Sequence, residues 1–320
     1  MPPFKKSIFV VLFSLFASLL TSCSDQSSTQ TIRATLFLLD ASKSTVLTIP
    51  QREQQLRERL SGAFDSEEAI YFDFIRNNYT KQVILPLVSM QSIINVNDEI
   101  LTYAKDKKVR KETKRLVSDF WRKSLSDAKT VDECITEGAS ELEINSVLEQ
   151  GARVVAQNIC VSAGKAKETL SNIRAIGSGA GLENGFIGSD IEGAFIRGLK
   201  RMESESGNLL NKENNSVKVR GTIVVSSDMM QRGQSGERVI DVVREMSEEQ
   251  ISEYVTKTRG QQEFRELRPI VKIDGWLSTK KNFSEQDRQA LELYWKKWFT
   301  SLDLDEPDFG FGVMDWSVDQ

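Results

Sequence analysis

Histidine is absent from all 320 residues. That excludes Ser-His-Asp and Cys-His catalysis, in which an imidazole carries the proton. Cysteine is scarce, at three residues, and proline little commoner, at six. Long apolar runs are missing as well. The longest, Ile8–Leu20 (IFVVLFSLFASLL), has 13 residues, whereas a membrane-spanning helix needs about 20. There is no basic excess: 42 Lys and Arg face 46 Asp and Glu, a formal charge of −4. Nothing therefore suggests a nucleic-acid partner, which would require a basic stripe. The locally basic Lys105–Arg115 (KDKKVRKETKR) reads as a solvated helix face. The glycine-rich Gly177-Ser178-Gly179-Ala180-Gly181 lacks the Gly-Lys-Ser/Thr of a Walker loop and does not directly follow a strand. It reads either as a linker or as a mobile loop bordering a site. No internal repeat is present.

The first residues carry the clearest signal. Lys5 and Lys6 precede the 13-residue apolar run, a length that suits a signal-peptide core. Leu20-Thr21-Ser22-Cys23 then resembles the lipobox of bacterial lipoprotein precursors. The resemblance implies removal of residues 1–22, acylation of Cys23, and residues 23–30 as a polar tether, so that the chain meets the membrane through a lipid anchor. Ser24 after the cysteine implies the outer membrane in a Gram-negative cell, and otherwise the outer face of the cytoplasmic membrane. Removing Lys5 and Lys6 takes the charge from −4 to −6. Two cysteines remain, Cys134 and Cys160, and an exported pair reads as one disulfide, the alternative being two buried thiols. Two thiolates without imidazole cannot complete the usual zinc shell.

Beyond the tether, strand and helix patterns alternate, which predicts an α/β domain over residues 31–305 with a mostly parallel sheet. Strands are expected at Thr31–Leu39, Ala69–Ile75, Val83–Val88, Gly221–Ser226 and Leu267–Trp276, with Pro86 confining the third to an edge. Helices are expected at Pro50–Phe64, at Ser189–Met202 with Ser189 as N-cap, at Arg238–Lys257 and at Ser284–Ser301. Leu291, Tyr294, Trp295, Trp298 and Phe299 recur at helical spacing and read as core. Residues 97–176 read as a helical insertion, with helix pattern in Asn97–Thr130, Leu142–Ile159 and Ala163–Ile173 and the disulfide inside it. Residues 306–320 form a tail.

Asp40-Ala41-Ser42-Lys43-Ser44 places a carboxylate and two hydroxyls at alternate positions just past the first strand. Ligands of open α/β sheets bind at that carboxyl end, near the point where strand order reverses. Oxygen atoms suit hard divalent cations, and Mg²⁺ uses few protein carboxylates. This pattern resembles the von Willebrand factor A domain, whose metal-ion-dependent adhesion site begins with D-x-S-x-S. Gly188-Ser189-Asp190-Ile191, running into Gly193-Ala194-Phe195, is similar to the family's G-T-x-x-x-x-A-L stretch with serine for threonine. Thr222–Asp228 is similar to the strand ending in T-D-G, although Met229 replaces the glycine, so the loop there is expected to differ. The resemblance implies a Rossmann-like fold. It also implies a divalent cation, Mg²⁺ before Mn²⁺ or Ca²⁺, held by Asp40, Ser42, Ser44, Ser189 and Asp228, with Asp190 on the rim. The ion would bridge to an acidic residue of a partner protein, and no catalytic residue is implied. Two alternatives stand beside it. One is a metal-free scaffold lipoprotein that binds partners through its helical insertion. The other is a phosphoesterase with Asp40 as nucleophile, which resembles haloacid-dehalogenase-like enzymes but has Ser42 where a general acid is needed, and only Lys43 or Lys81 for the lysine.

Overall fold

The computed structural model describes residues 30–40, 48–75, 84–178, 190–210, 217–230, 237–259, 267–275 and 284–310. The expected leader, Cys23, Ser24 and most of the tether lie outside these residues. Among the described residues no helix is long and apolar enough to cross a membrane.

Six strands form one sheet: β1 (Gln30–Asp40), β2 (Glu68–Ile75), β3 (Leu85–Val88), β4 (Val217–Ser226), β5 (Ile270–Asp274) and β6 (Asp308–Phe309). Their order is β3-β2-β1-β4-β5-β6, and all neighbouring pairs are parallel except β2 with β3. The chain thus moves to one side of β1 for two strands and to the other side for three. This is a doubly wound, Rossmann-like arrangement whose switch point lies between β1 and β4. From Ala34 to Asp40, β1 is buried throughout, Thr35 included. Burial on both faces explains its unbroken apolar run. Pro86 lies on the edge strand, where a missing N–H leaves no gap in a ladder.

One face carries α1 (Ile49–Ser61) and α5 (Gly151–Gly177). The other carries α6 (Ile191–Leu210) and α9 (Glu285–Thr300), with α7 (Val239–Val243) and α8 (Glu248–Arg259) packed on α9. Phe195 of α6 meets the rings of Trp298 and Phe299 edge-on, at 5.5 and 4.9 Å. These residues and Leu291, Tyr294 and Trp295 are buried, as their spacing predicts.

The insertion is an antiparallel four-helix bundle of α2 (Met90–Tyr103), α3 (Lys107–Ser126), α4 (Val131–Asn145) and α5. It begins at Met90, seven residues before the expected boundary, because Ser89 caps α2 immediately after β3 by accepting the Ser92 N–H at 3.1 Å. The expected Leu142–Ile159 segment is broken at 146–150, so α4 and α5 are separate helices. A capping box between Thr130 and Glu133 starts α4. Cys134 and Cys160 form a disulfide joining α4 to α5, with a Cα–Cα separation of 5.8 Å. Trp121 of α3, fully buried, donates its indole N–H to the Leu60 carbonyl at 2.6 Å and packs edge-on against Phe64. That contact seals the bundle to the sheet domain.

Candidate functional site

Side chains alternate across a strand, so register fixes which residues share a face. Leu36 and Leu38 of β1 pair with Ile223 and Val225 of β4. The same parity brings Asp40 and Ser227 to one face, at the carboxyl end of the two strands flanking the switch point. There the Ser227 hydroxyl donates to Asp40 Oδ2 at 2.8 Å and accepts the Met229 N–H at 3.0 Å. Asp228 Oδ1 accepts the Met230 N–H at 3.1 Å. Asp40 is 1% exposed and Asp228 4%, so both carboxylates are held in a nearly water-free strand end.

Met229, at the position where the resemblance has glycine, has a φ of 58°, in the left-handed region that glycine adopts freely. The side chain is fully buried, and the carbonyl accepts the Trp295 indole N–H at 3.1 Å. Packing and this hydrogen bond hold a backbone shape that costs a side-chain-bearing residue about 1–2 kcal/mol.

Helix α6 leads into β4 and therefore starts at the same carboxyl end. Its side chains run down the Asp40 face: Arg197 reaches Asp73 at 3.9 Å, Gly198 closes on Leu36, and Glu205 accepts the Tyr71 hydroxyl at 2.6 Å. Asp190 stands at the top of this ladder. Its carboxylate accepts the Gly193 N–H at 2.9 Å and pairs with Arg197 at 3.4 Å. Asp190, one residue after the serine expected to do so, thus caps the helix. Gly193 is required beside it, since a Cβ there would overlap the carboxylate. Tyr294 donates to Glu192 in the first turn of α6. Burial first, and then the Glu192 charge, push its phenol well above the ordinary value, so it remains a neutral donor.

On the opposite face, register places Asp274 beside Ser226. Asp274 is fully buried and ion-paired with Arg52 of α1, which also donates to Gln55 at 2.7 Å. The Asp274 carbonyl accepts the Ser227 N–H at 3.0 Å, so this pair braces the loop that carries Ser227 and Asp228.

Of the expected metal ligands, Asp40 and Asp228 lie at the switch point, and Asp190, expected on the rim, begins the helix on the Asp40 face. Ser42, Ser44 and Ser189 lie outside the described residues, as do Lys43, Lys81 and most of the glycine-rich segment. Among the described residues no three acidic or cysteine side chains gather closely enough to hold a cation by themselves. A cation at Asp40 and Asp228 would need hydroxyl ligands, the donor type that D-x-S-x-S supplies. The sequence reading missed Ser227, Arg52 and Asp274. Ser227 stands next to the expected ligand, but nothing in Ser-Ser-Asp says which hydroxyl turns toward Asp40. Comparison with protein-family models, with curated proteins and with solved structures gives no match.

Proposed function

We propose that the chain is a lipid-anchored extracytoplasmic protein whose von Willebrand factor A-like domain binds a partner protein through a divalent cation. Cys23 would carry the lipid. Asp40 and Asp228 would hold the ion, Mg²⁺ by preference, with the hydroxyls of Ser42, Ser44 and Ser189. The observation that carries the reading is the meeting of Asp40 with the Ser227-Asp228 turn, across 2.8 Å, at the carboxyl ends of the two central strands. In open α/β sheets that crevice is where ligands bind. The donor set fits the ion: carboxylates and hydroxyls are hard oxygen ligands, and a site with few charges leaves coordination positions to water or to an incoming carboxylate. The ion would act as an electrophilic bridge to an acidic side chain of the partner, and no residue is assigned a catalytic role.

The test is the melting behaviour of residues 23–320 carrying Cys23→Ser, disulfide intact, in EDTA and in saturating Mg²⁺ or Mn²⁺. An ion at 100 times its dissociation constant adds about 2.7 kcal/mol. The expected result is a metal-dependent rise that disappears in Asp40→Ala. Identical melts at saturating ion would sink the metal reading and favour a metal-free scaffold.

A further inference from the structure

Helix α1 runs from the end of β1 to the start of β2, so its last residue marks the amino end of the sheet. Helix α5 lies antiparallel to it. Gly177 packs on Ile49, and Arg174 reaches Glu53 at 3.0 Å. Its 27 residues outrun the 13 of α1, so at 1.5 Å per residue it continues about 20 Å beyond the amino end of the sheet. Helix α3 gives the same extent, since Trp121 is level with Leu60 and Lys107 lies 14 residues, about 21 Å, further out. Helix α2 runs alongside, with Asn95 on Asn158 at 3.3 Å and Tyr103 against Gly151. The bundle therefore ends in a tip built from the turn at 104–106 and the loop at 146–150.

Strand β1 is parallel to β2, so it also begins at this end, and Gln30 precedes by three residues the partner of Glu68. The chain from Cys23 to Gln30 is seven residue steps, which span at most about 25 Å. A lipid on Cys23 would thus tether the amino end of the sheet to the bilayer, and the tether's limit of about 25 Å exceeds the tip's reach of about 20 Å, so the tip has room to touch the surface.

The tip has the composition for that surface. Lys105, Lys107, Lys108 and Lys111 are exposed within seven residues, and none is ion-paired to another described residue. Lys114 and Arg115, further up, are engaged with Glu67 and Asp119. Beside the lysines stand Leu101, Ile144 and Val147, exposed by 44, 80 and 39%. Among the described residues, all but one of the exposed large apolar side chains belong to this bundle; the exception is Ile270. Asp106 and Glu112 lie among these lysines, and with Arg110 the segment 105–112 keeps an excess of basic over acidic side chains, whereas Glu143 and Glu149 lie beside Ile144 and Val147 in the chain. Basic side chains beside exposed aliphatic ones are what the boundary of an anionic bilayer attracts.

We propose that the bundle tip is a second membrane contact, in which Lys105, Lys107, Lys108 and Lys111 meet anionic lipid headgroups and Ile144 and Val147 enter the interface. It rests on the lipoprotein reading for its orientation but not for its chemistry. Two contacts would fix the domain's pose, with the amino end of the sheet toward the bilayer and Asp40 turned away from it to face a partner.

The test floats residues 23–320 carrying Cys23→Ser with phosphatidylglycerol-rich vesicles and with purely phosphatidylcholine vesicles, at about 0.1 M salt. Binding is expected to the anionic vesicles alone. It should fall about fivefold for each charge lost in a Lys105/Lys107/Lys108/Lys111→Gln variant, and measurably in Ile144→Asp. Circular dichroism melts confirm that both variants fold. Absent binding, equal binding to neutral vesicles, or binding that survives either change overturns the proposal; absent binding leaves the tip as a protein-docking surface. Mass spectrometry of Cys23 in the protein purified from membranes tests the anchor separately.

Discussion

Arg52 and Asp274 form an ion pair at the centre of the fold, both essentially inaccessible to water. Removing one partner strands the other charge, at a cost of about 3–5 kcal/mol. Arg52→Met is therefore expected to lower urea-unfolding stability by that amount, and the double change Arg52→Met/Asp274→Leu to recover most of it. A single variant no worse than the double would show the pair to be unimportant. A second residue-scale consequence concerns pH. Burial and then Glu205 raise the Tyr71 phenol, while burial and then Glu192 raise that of Tyr294. Their folded-state values lie above the unfolded ones. The stabilisation is thus complete below the unfolded tyrosine range and is lost as pH climbs through it, because only the unfolded chain releases its protons. Stability should decline above about pH 10 by up to ~1.4 kcal/mol per pH unit for each phenol. Tyr71→Phe/Tyr294→Phe should flatten that alkaline arm in melts taken from pH 9 to 11.

At the scale of elements, the bundle depends on a few close contacts. Gly138 packs so tightly under Phe120 that a Cβ would enter the ring, and Gly151 sits equally close to Glu99 and Tyr103. The disulfide between α4 and α5 spans 26 residues of sequence, a loop whose closure is worth about 3 kcal/mol in the chain-entropy account. Cys134→Ser/Cys160→Ser is expected to lower stability by about 2–4 kcal/mol while leaving the proposed metal-dependent shift in melting intact, since the bond lies far from the strand ends. Loss of that shift in the variant would mean that bundle and site are coupled. The elements themselves were largely legible. The strands expected at 31–39, 69–75 and 221–226, the edge position imposed by Pro86 and the aromatic face of α9 follow from periodicity and composition, although β4 begins four residues earlier, at Val217. The break at 146–150 was not, because Ser-Val-Leu-Glu-Gln-Gly carries no proline and the helical pattern resumes at once. Nor was the helix start at Ile191, because Ser189 and Asp190 are both good caps and only packing against Arg197 and Gly193 selects Asp190.

In the whole molecule, Asp40, Ser227 and Asp228 lie at the carboxyl end of the sheet, and the bundle tip lies beyond its amino end, where β1 begins. The sequence by itself determined the α/β class, the helical stretch after the edge strand and Asp40 as a carboxylate just past a buried strand, and left the two cysteines between one disulfide and two thiols. These are local properties, set by apolar periodicity and by residues adjacent along the chain. Only the tertiary structure decided that Ser227 bridges to Asp40 across 187 residues, that Met229 takes a glycine-like backbone, and that Arg52 neutralises Asp274. It also decided that the basic segment 105–111 projects from the end where β1 begins. Each of these depends on strand order and helix direction, which arise when distant segments bury their apolar faces together, and no short stretch of sequence encodes the distance between two such segments.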